Sequence, residues 1–271
     1  MNWALILPFI FVAVVWFVST GAIIWLDNKP VETFGASLVG ATVVAGFATL
    51  GVIVSAGDAS TSGAYLAFAS ATAIWGWHEM SFLMGFVRGP NRKEEGPNLA
   101  GWARFKSAAA TLIHHEIALA ATTAVLFLMC LGQPNQIAAE TFGLLFVMRL
   151  STKLNIFLGV ANLTTDIMPA HMAYLKTYFR KAAINPLFPL SLAGSAWLSI
   201  ILLGQALAAP QASGEMVGTM MLFALVALAT LEHVFLMLPM RDSALWAWAS
   251  PKQKSPAILK SHNQWGGDNG L

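Results

Sequence analysis

The sequence predicts an all-α protein, a polytopic membrane helical bundle with about seven transmembrane helices. Three observations carry that reading. The chain is 57% hydrophobic and only 10% charged, with a mean hydropathy of +0.65, whereas a soluble domain carries about 25% charge. Apolar runs of roughly 20 residues recur along it, each long enough to cross a ~30 Å hydrocarbon core. The lysines and arginines sort to one side of the alternating loops. An outer-membrane barrel would show alternating segments of about ten residues, and the sequence has none.

The first span covers about residues 3–25. Its opening, MNWALILPFIF, lacks a basic n-region, so it reads as a retained helix and not a cleaved signal. DNKP closes it, and the second span, about 34–56, runs to GDASTSG. The third, 64–86, ends at RGPNRKEEGPN; the fourth, 107–131, at GQPNQ. The fifth, 137–158, is the least apolar, holding Glu140, Arg149, Lys153 and Asn155. The sixth, 186–208, and the seventh, 217–238, are separated by APQASGE, and PMRDS follows the last. Such Pro, Gly and charge clusters are the punctuation of a helical chain. Residues 1–250 thus form one bundle, and the polar, Gly-rich residues 251–271 read as a flexible tail.

With seven spans the loops alternate sides. Lys29, Arg88, Arg92, Lys93, Arg104, Lys106, Lys176, Arg180, Lys181, Arg241, Lys252, Lys254 and Lys260 share one side. Arg149 and Lys153 complete the 15 basic residues, in the half of span five nearer that side. The positive-inside rule makes that side cytoplasmic, with the N-terminus outside and the C-terminus cytoplasmic. Between spans five and six, Asp166 can cap a helix start. Met168, Met172, Leu175 and Phe179 then recur at helical spacing, away from Lys176, Arg180 and Lys181. That pattern predicts an amphipathic helix over about 166–182 lying on anionic membrane lipid, with the apolar line towards lipid. Trp102, Trp246 and Trp248 flank spans on the same side, as interfacial anchors do.

The chemistry concentrates in one layer. His114, His115 and Glu116 interrupt span four; His78 and Glu79 lie in span three, and Glu232 and His233 in span seven. Counted at about 1.5 Å per residue, all lie at similar depth from the basic face, with Arg149, Lys153 and Asn155 of span five. Ionisable groups rarely face lipid, so the layer is expected to converge inside the bundle. Three arrangements suit it. One is a hydrogen-bonded and ion-paired network in which Arg149 and Lys153 neutralise the glutamates. Another is a metal centre for iron, zinc, manganese or another divalent ion, with His78, Glu79, His114, His115, Glu116, Glu232 and His233 as candidate ligands. The third is axial ligation of haem or bacteriochlorophyll by His78, His115 or His233. Adjacent residues lie 100° apart on a helix, so only one of His114 and His115 can point squarely inward; matching the His-Glu order of His78-Glu79 favours His115. No Glu-x-x-His repeat is present, so the signature of soluble di-iron bundles is missing.

Other chemistries lack support. A net charge of +2 implies no nucleic-acid partner, and neither Gly-rich nucleotide motif occurs. A single cysteine, Cys130, excludes an intramolecular disulfide and a Cys-based zinc cage. The only lysine inside a span, Lys153, is in span five and not seven, which argues against a retinal Schiff base. The methionines read as packing. Trp75 and Trp77 flank His78 and read as packing, though flat walls also suit a planar ligand. His171 reads as a headgroup-level surface residue, and His262 as inert.

The stretches WHEMSFLMGFVRGPNR (77–92), MRLSTKLNIFLGVANL (148–163) and HMAYLKTYF (171–179) resemble the PuhE family of photosynthetic complex assembly proteins in purple and related anoxygenic phototrophs. The resemblance covers most of the chain. It implies a seven-span inner-membrane protein encoded near the reaction-centre H subunit. It further implies a role in assembling photosynthetic complexes and in bacteriochlorophyll supply, with complex subunits or pigment-biosynthesis enzymes as partners. It brings no catalytic residues with it. A second class of function fits the layer as well, a membrane metalloenzyme (an oxidase or hydroxylase) acting on a pigment or isoprenoid.

Overall fold

The computed structural model describes residues 3–163, 168–238 and 245–249. Eight α-helices run through them: α1 (Trp3–Asp27), α2 (Phe34–Ala56), α3 (Thr61–Leu83), α4 (Gly101–Ala109), α5 (Ile113–Cys130), α6 (Ile137–Leu158), α7 (Leu187–Ala208) and α8 (Gly214–Phe235). Short 3-10 helices occupy Val31–Thr33 and Ala170–Tyr178. No β-strand occurs among the described residues, where the one extended pairing is an isolated bridge between Val160 and Lys181.

Every helix except α4 coincides with an expected span. Six of those seven are long and apolar enough to cross a membrane. The seventh, α3, is 23 residues long but carries Trp75, Trp77, His78 and Glu79. Its position explains the difference. It packs against α1, α2, α5, α6 and α8, and neighbours that shield a helix from lipid relieve it of the need to be apolar all round. At the periphery the reverse holds: Val39, Val43, Val44, Phe47 and Val54 of α2 are exposed, as lipid-facing residues should be.

Local chemistry fixes the ends away from the basic loops. Ser60 caps α3 by accepting from Gly63 N–H, and Ser213 caps α8 by accepting from Met216 N–H. Buried Asn135 accepts from Ile137 N–H at the start of α6 and donates to the Asp58 carbonyl, tying two turns together. Between these turns the helices meet through small side chains, with Ala64, Ala67, Ala71, Ala138, Ala139 and Ala224 all buried.

Two expectations change. The apolar run 107–131 is not one helix. It breaks over 110–112, where the Ala110 and Thr111 carbonyls accept from Asn91 N–H (3.0 Å) and Gly89 N–H (2.9 Å) of the preceding loop. A side chain at Gly89 would place Cβ 1.9 Å from the Ala110 carbonyl oxygen, so glycine permits this approach. The segment expected as an amphipathic helix over 166–182 is a 3-10 helix over Ala170–Tyr178, and Asp166 lies outside the described residues. Met172 and Leu175 do not face lipid; they are buried against Phe82 at the end of α3. Arg104 of α4 anchors the segment. It donates to the Tyr178 carbonyl (2.8 Å) and the Phe157 carbonyl (3.1 Å), and pairs with Glu95 (2.6 Å).

Candidate functional site

The polar layer lies where α3, α5, α6 and α8 end on the side of the basic loops. The break at 110–112 moves His114, His115 and Glu116 into the first turn of α5, not deep within a longer span. Glu232 and His233 occupy the last turn of α8. The structure brings part of the expected cluster together and separates the rest.

Glu79 is the centre of the part that meets. Its side chain is 9% exposed, with Oε2 3.5 Å from Arg149 Nη2 and Oε1 3.9 Å from His115 Nε2. Lys153 donates to Glu116 at 2.5 Å. Opposite charges therefore pair across α3–α6 and α5–α6, the arrangement that offsets the cost of holding ions away from water. His115 is fully buried and stacked on Phe82, ring centroids 4.5 Å apart, while His114 is exposed. Neither ring nitrogen of His115, nor Glu79 Oε1, has a hydrogen-bond partner among the described residues.

The other two candidate histidines have partners elsewhere. His78 Nε2 shares a hydrogen bond with Thr122 of α5 (2.9 Å), and its ring stands edge-on to Trp77 and Phe142. His233 uses both nitrogens, with Nδ1 2.8 Å from the Ala229 carbonyl and Nε2 2.9 Å from Ser151 Oγ. Glu232 accepts from Trp16 Nε1 of α1 (3.0 Å). A metal needs ligand lone pairs directed at one point. No group of three His, Cys, Asp or Glu among the described residues could hold a metal ion, and His233 would first have to give up an existing bond.

Asn155 leaves the layer altogether. It lies six residues beyond Arg149, about 240° around the helix, and turns to α7. There it donates to Ser191 Oγ (2.9 Å) and accepts from Asn185, whose own Oδ1 caps α7. Two residues join that composition did not single out. Asp27, the last residue of α1, is buried within electrostatic reach of Glu79; in sequence it looks like turn punctuation. Trp16 sits inside an apolar run, and only its partner Glu232 reveals a polar role. Of the expected tryptophan anchors, Trp248 is exposed, but Trp246 is buried against α1 and donates to the Phe17 carbonyl (3.1 Å). His171 is tied to the end of α3 through the Leu83 carbonyl (2.8 Å).

Comparison with known proteins gives kinship without an activity. A Rhodobacter capsulatus protein, described as an uncharacterized 30.4 kDa protein in the puhA 5′ region, is 38% identical over 265 residues, covering 94% of this chain and 93% of the relative. No solved structure matches. The family described as protein of unknown function DUF3623 matches residues 2–257, and the chain belongs to that family.

Proposed function

We propose that this protein is an integral membrane factor for assembly of photosynthetic reaction-centre and light-harvesting complexes, acting on bacteriochlorophyll supply. The observation that carries this reading is its near full-length kinship with the protein described as lying in the puhA 5′ region. The resemblance to photosynthetic assembly proteins points the same way. The partners it implies are complex subunits or pigment-biosynthesis enzymes. The polar layer fits a charge-paired brace at one end of the bundle better than it fits a metal centre, because the His78 and His233 rings are already hydrogen-bonded to neighbouring helices.

The test is deletion of the gene in a phototroph that carries it. Membranes of the deletion strain should lose most of their near-infrared reaction-centre and light-harvesting absorption, and the full-length gene should restore it. Unchanged pigment-protein spectra would refute the reading. The metalloenzyme reading has its own discriminator, since it requires stoichiometric iron, zinc or manganese in the purified protein. The polar end is proposed to face the cytoplasm of an inner membrane. Reporter fusions at Gly57 and Gly214 should then report periplasmic, and one at Gly96 cytoplasmic; a cytoplasmic signal at Gly214 would reverse that assignment.

A further inference from the structure

We infer that Arg149 is the anchoring residue of an inward-facing crevice that binds the carboxylate of an amphiphilic acid. The evidence is a change of exposure along one helix face. Phe142 and Arg149 lie seven residues apart on α6, about 20° from being in line. Phe142 is fully buried, whereas the Arg149 side chain is 43% exposed. Lys153, one turn further on the same face, falls back to 19%. Side-chain exposure along this face of α6 thus rises at Arg149 and falls again at Lys153. The carboxylates within electrostatic reach of Arg149 come from other helices: Glu79 of α3, Glu116 of α5, and Glu232 of α8 with its donor Trp16 of α1.

Arg149 is poorly used as it stands. A guanidinium presents five N–H donors in a planar fork suited to bidentate carboxylate binding. Among the described residues it has one long hydrogen bond, 3.5 Å, to Glu79. An open, under-engaged arginine within a span is costly unless something occupies it. The surroundings also hold an alternative partner for Glu79. Oε1 faces His115 Nε2 at 3.9 Å, both atoms are unpartnered among the described residues, and His115 is fully buried. Lys153 lies within electrostatic reach of Glu79 as well. A ligand carboxylate can therefore take the Arg149 fork while Glu79 moves the remaining distance to the His115 ring N–H and keeps Lys153 as its counter-charge. No bond is made or broken covalently.

The ligand chemistry is a carboxylate on an apolar body, and it has two sources in a photosynthetic membrane, a tetrapyrrole bearing a free propionic acid or a fatty acid. The tetrapyrrole source rests on the proposed function; the carboxylate site does not. Binding of pheophorbide a, its methyl ester and oleic acid to the full-length protein in lipid nanodiscs separates them. A metal-free chlorin is chosen because no histidine can ligate it axially. The free acid should bind at least about 10-fold more tightly than the ester, the scale of one charge-assisted hydrogen bond. Arg149→Gln should abolish that preference. Arg149→Lys, which keeps the charge and supports the fold but lacks the fork, should retain only part of it. Oleic acid binding as tightly as pheophorbide, with the same dependence on Arg149, would uphold the carboxylate site and remove the pigment from it. Equal binding of acid and ester, or indifference to Arg149→Gln, would overturn the site while leaving pigment handling to the deletion test. Binding of none of the three would also overturn it.

Discussion

The two ends of the bundle are built on opposite principles. At the end away from the basic loops, α8 meets the starts of α3 and α6 through Gly214 and Gly218, which face Ser60, Ala64 and Ile137, and the turns are tied by Ser60, Ser213 and Asn135. At the other end, contact passes through Glu79–Arg149 and Lys153–Glu116, and buried nitrogens of His78 and His115 are left without partners among the described residues. A fold needing only stability could repeat the first solution at both ends, since ion pairs held away from water seldom outperform close apolar packing. On the proposed reading, the small-residue end supplies stability and the charged end supplies binding chemistry.

The sharpest way to break that assignment is at Lys153. Its amine pairs with Glu116, whose side chain is only 13% exposed. Lys153→Ala strands that carboxylate and weakens the counter-charge of Glu79, so a loss of about 3–5 kcal/mol is expected in denaturant unfolding. The double variant Lys153→Ala with Glu116→Ala should recover a large part. If the single substitution costs nothing, the pair contributes little and the charged end is more hydrated than its burial indicates.

The small-residue end should respond to volume instead of charge. A Cβ at Gly214 would lie 2.2 Å from the Ala59 carbonyl oxygen and 2.5 Å from that of Ser60. Backbone cannot rotate away as a side-chain tip can, so Gly214→Ala should cost about 1–3 kcal/mol. It should leave the acid-over-ester binding ratio unchanged. A changed ratio would show that the two ends are coupled and spoil the division of labour.

The spans were legible because lipid imposes a demand that every stretch of about 20 residues must answer locally. What escaped the sequence depends on partners far along the chain. The break at 110–112 is invisible in its own apolar residues, because the groups that satisfy its freed carbonyls belong to Gly89 and Asn91. Depth counting puts Asn155 in the polar layer; azimuth, fixed by which neighbour each face meets, takes it out. The same distinction separates His115 from His114, adjacent in sequence but buried and exposed in the fold. Asp27 and Trp16 carried no signal of their own. They meet Glu79 and Glu232 only because α1 packs beside α3 and α8.

The smallest effects test whether the buried histidines brace the charged end or serve it in another way. His233 joins α8 to α6 through Ser151 and satisfies its second nitrogen on its own helix. Replacing it with leucine leaves the Ser151 hydroxyl without that partner and should cost about 1–3 kcal/mol. His115 is equally buried yet has neither ring nitrogen hydrogen-bonded among the described residues. Burial of such a group is a desolvation cost with no return, so His115→Leu, close in volume, should leave stability unchanged or slightly raised, within about 1 kcal/mol. The cost of keeping an imidazole there is understandable if Glu79 needs a second partner when Arg149 is occupied. His115→Leu should then weaken acid binding while sparing the fold, a separation that His233→Leu should not show. If His115→Leu instead destabilises as much as His233→Leu, both rings are braces, and the contrast between the two ends is one of packing style alone.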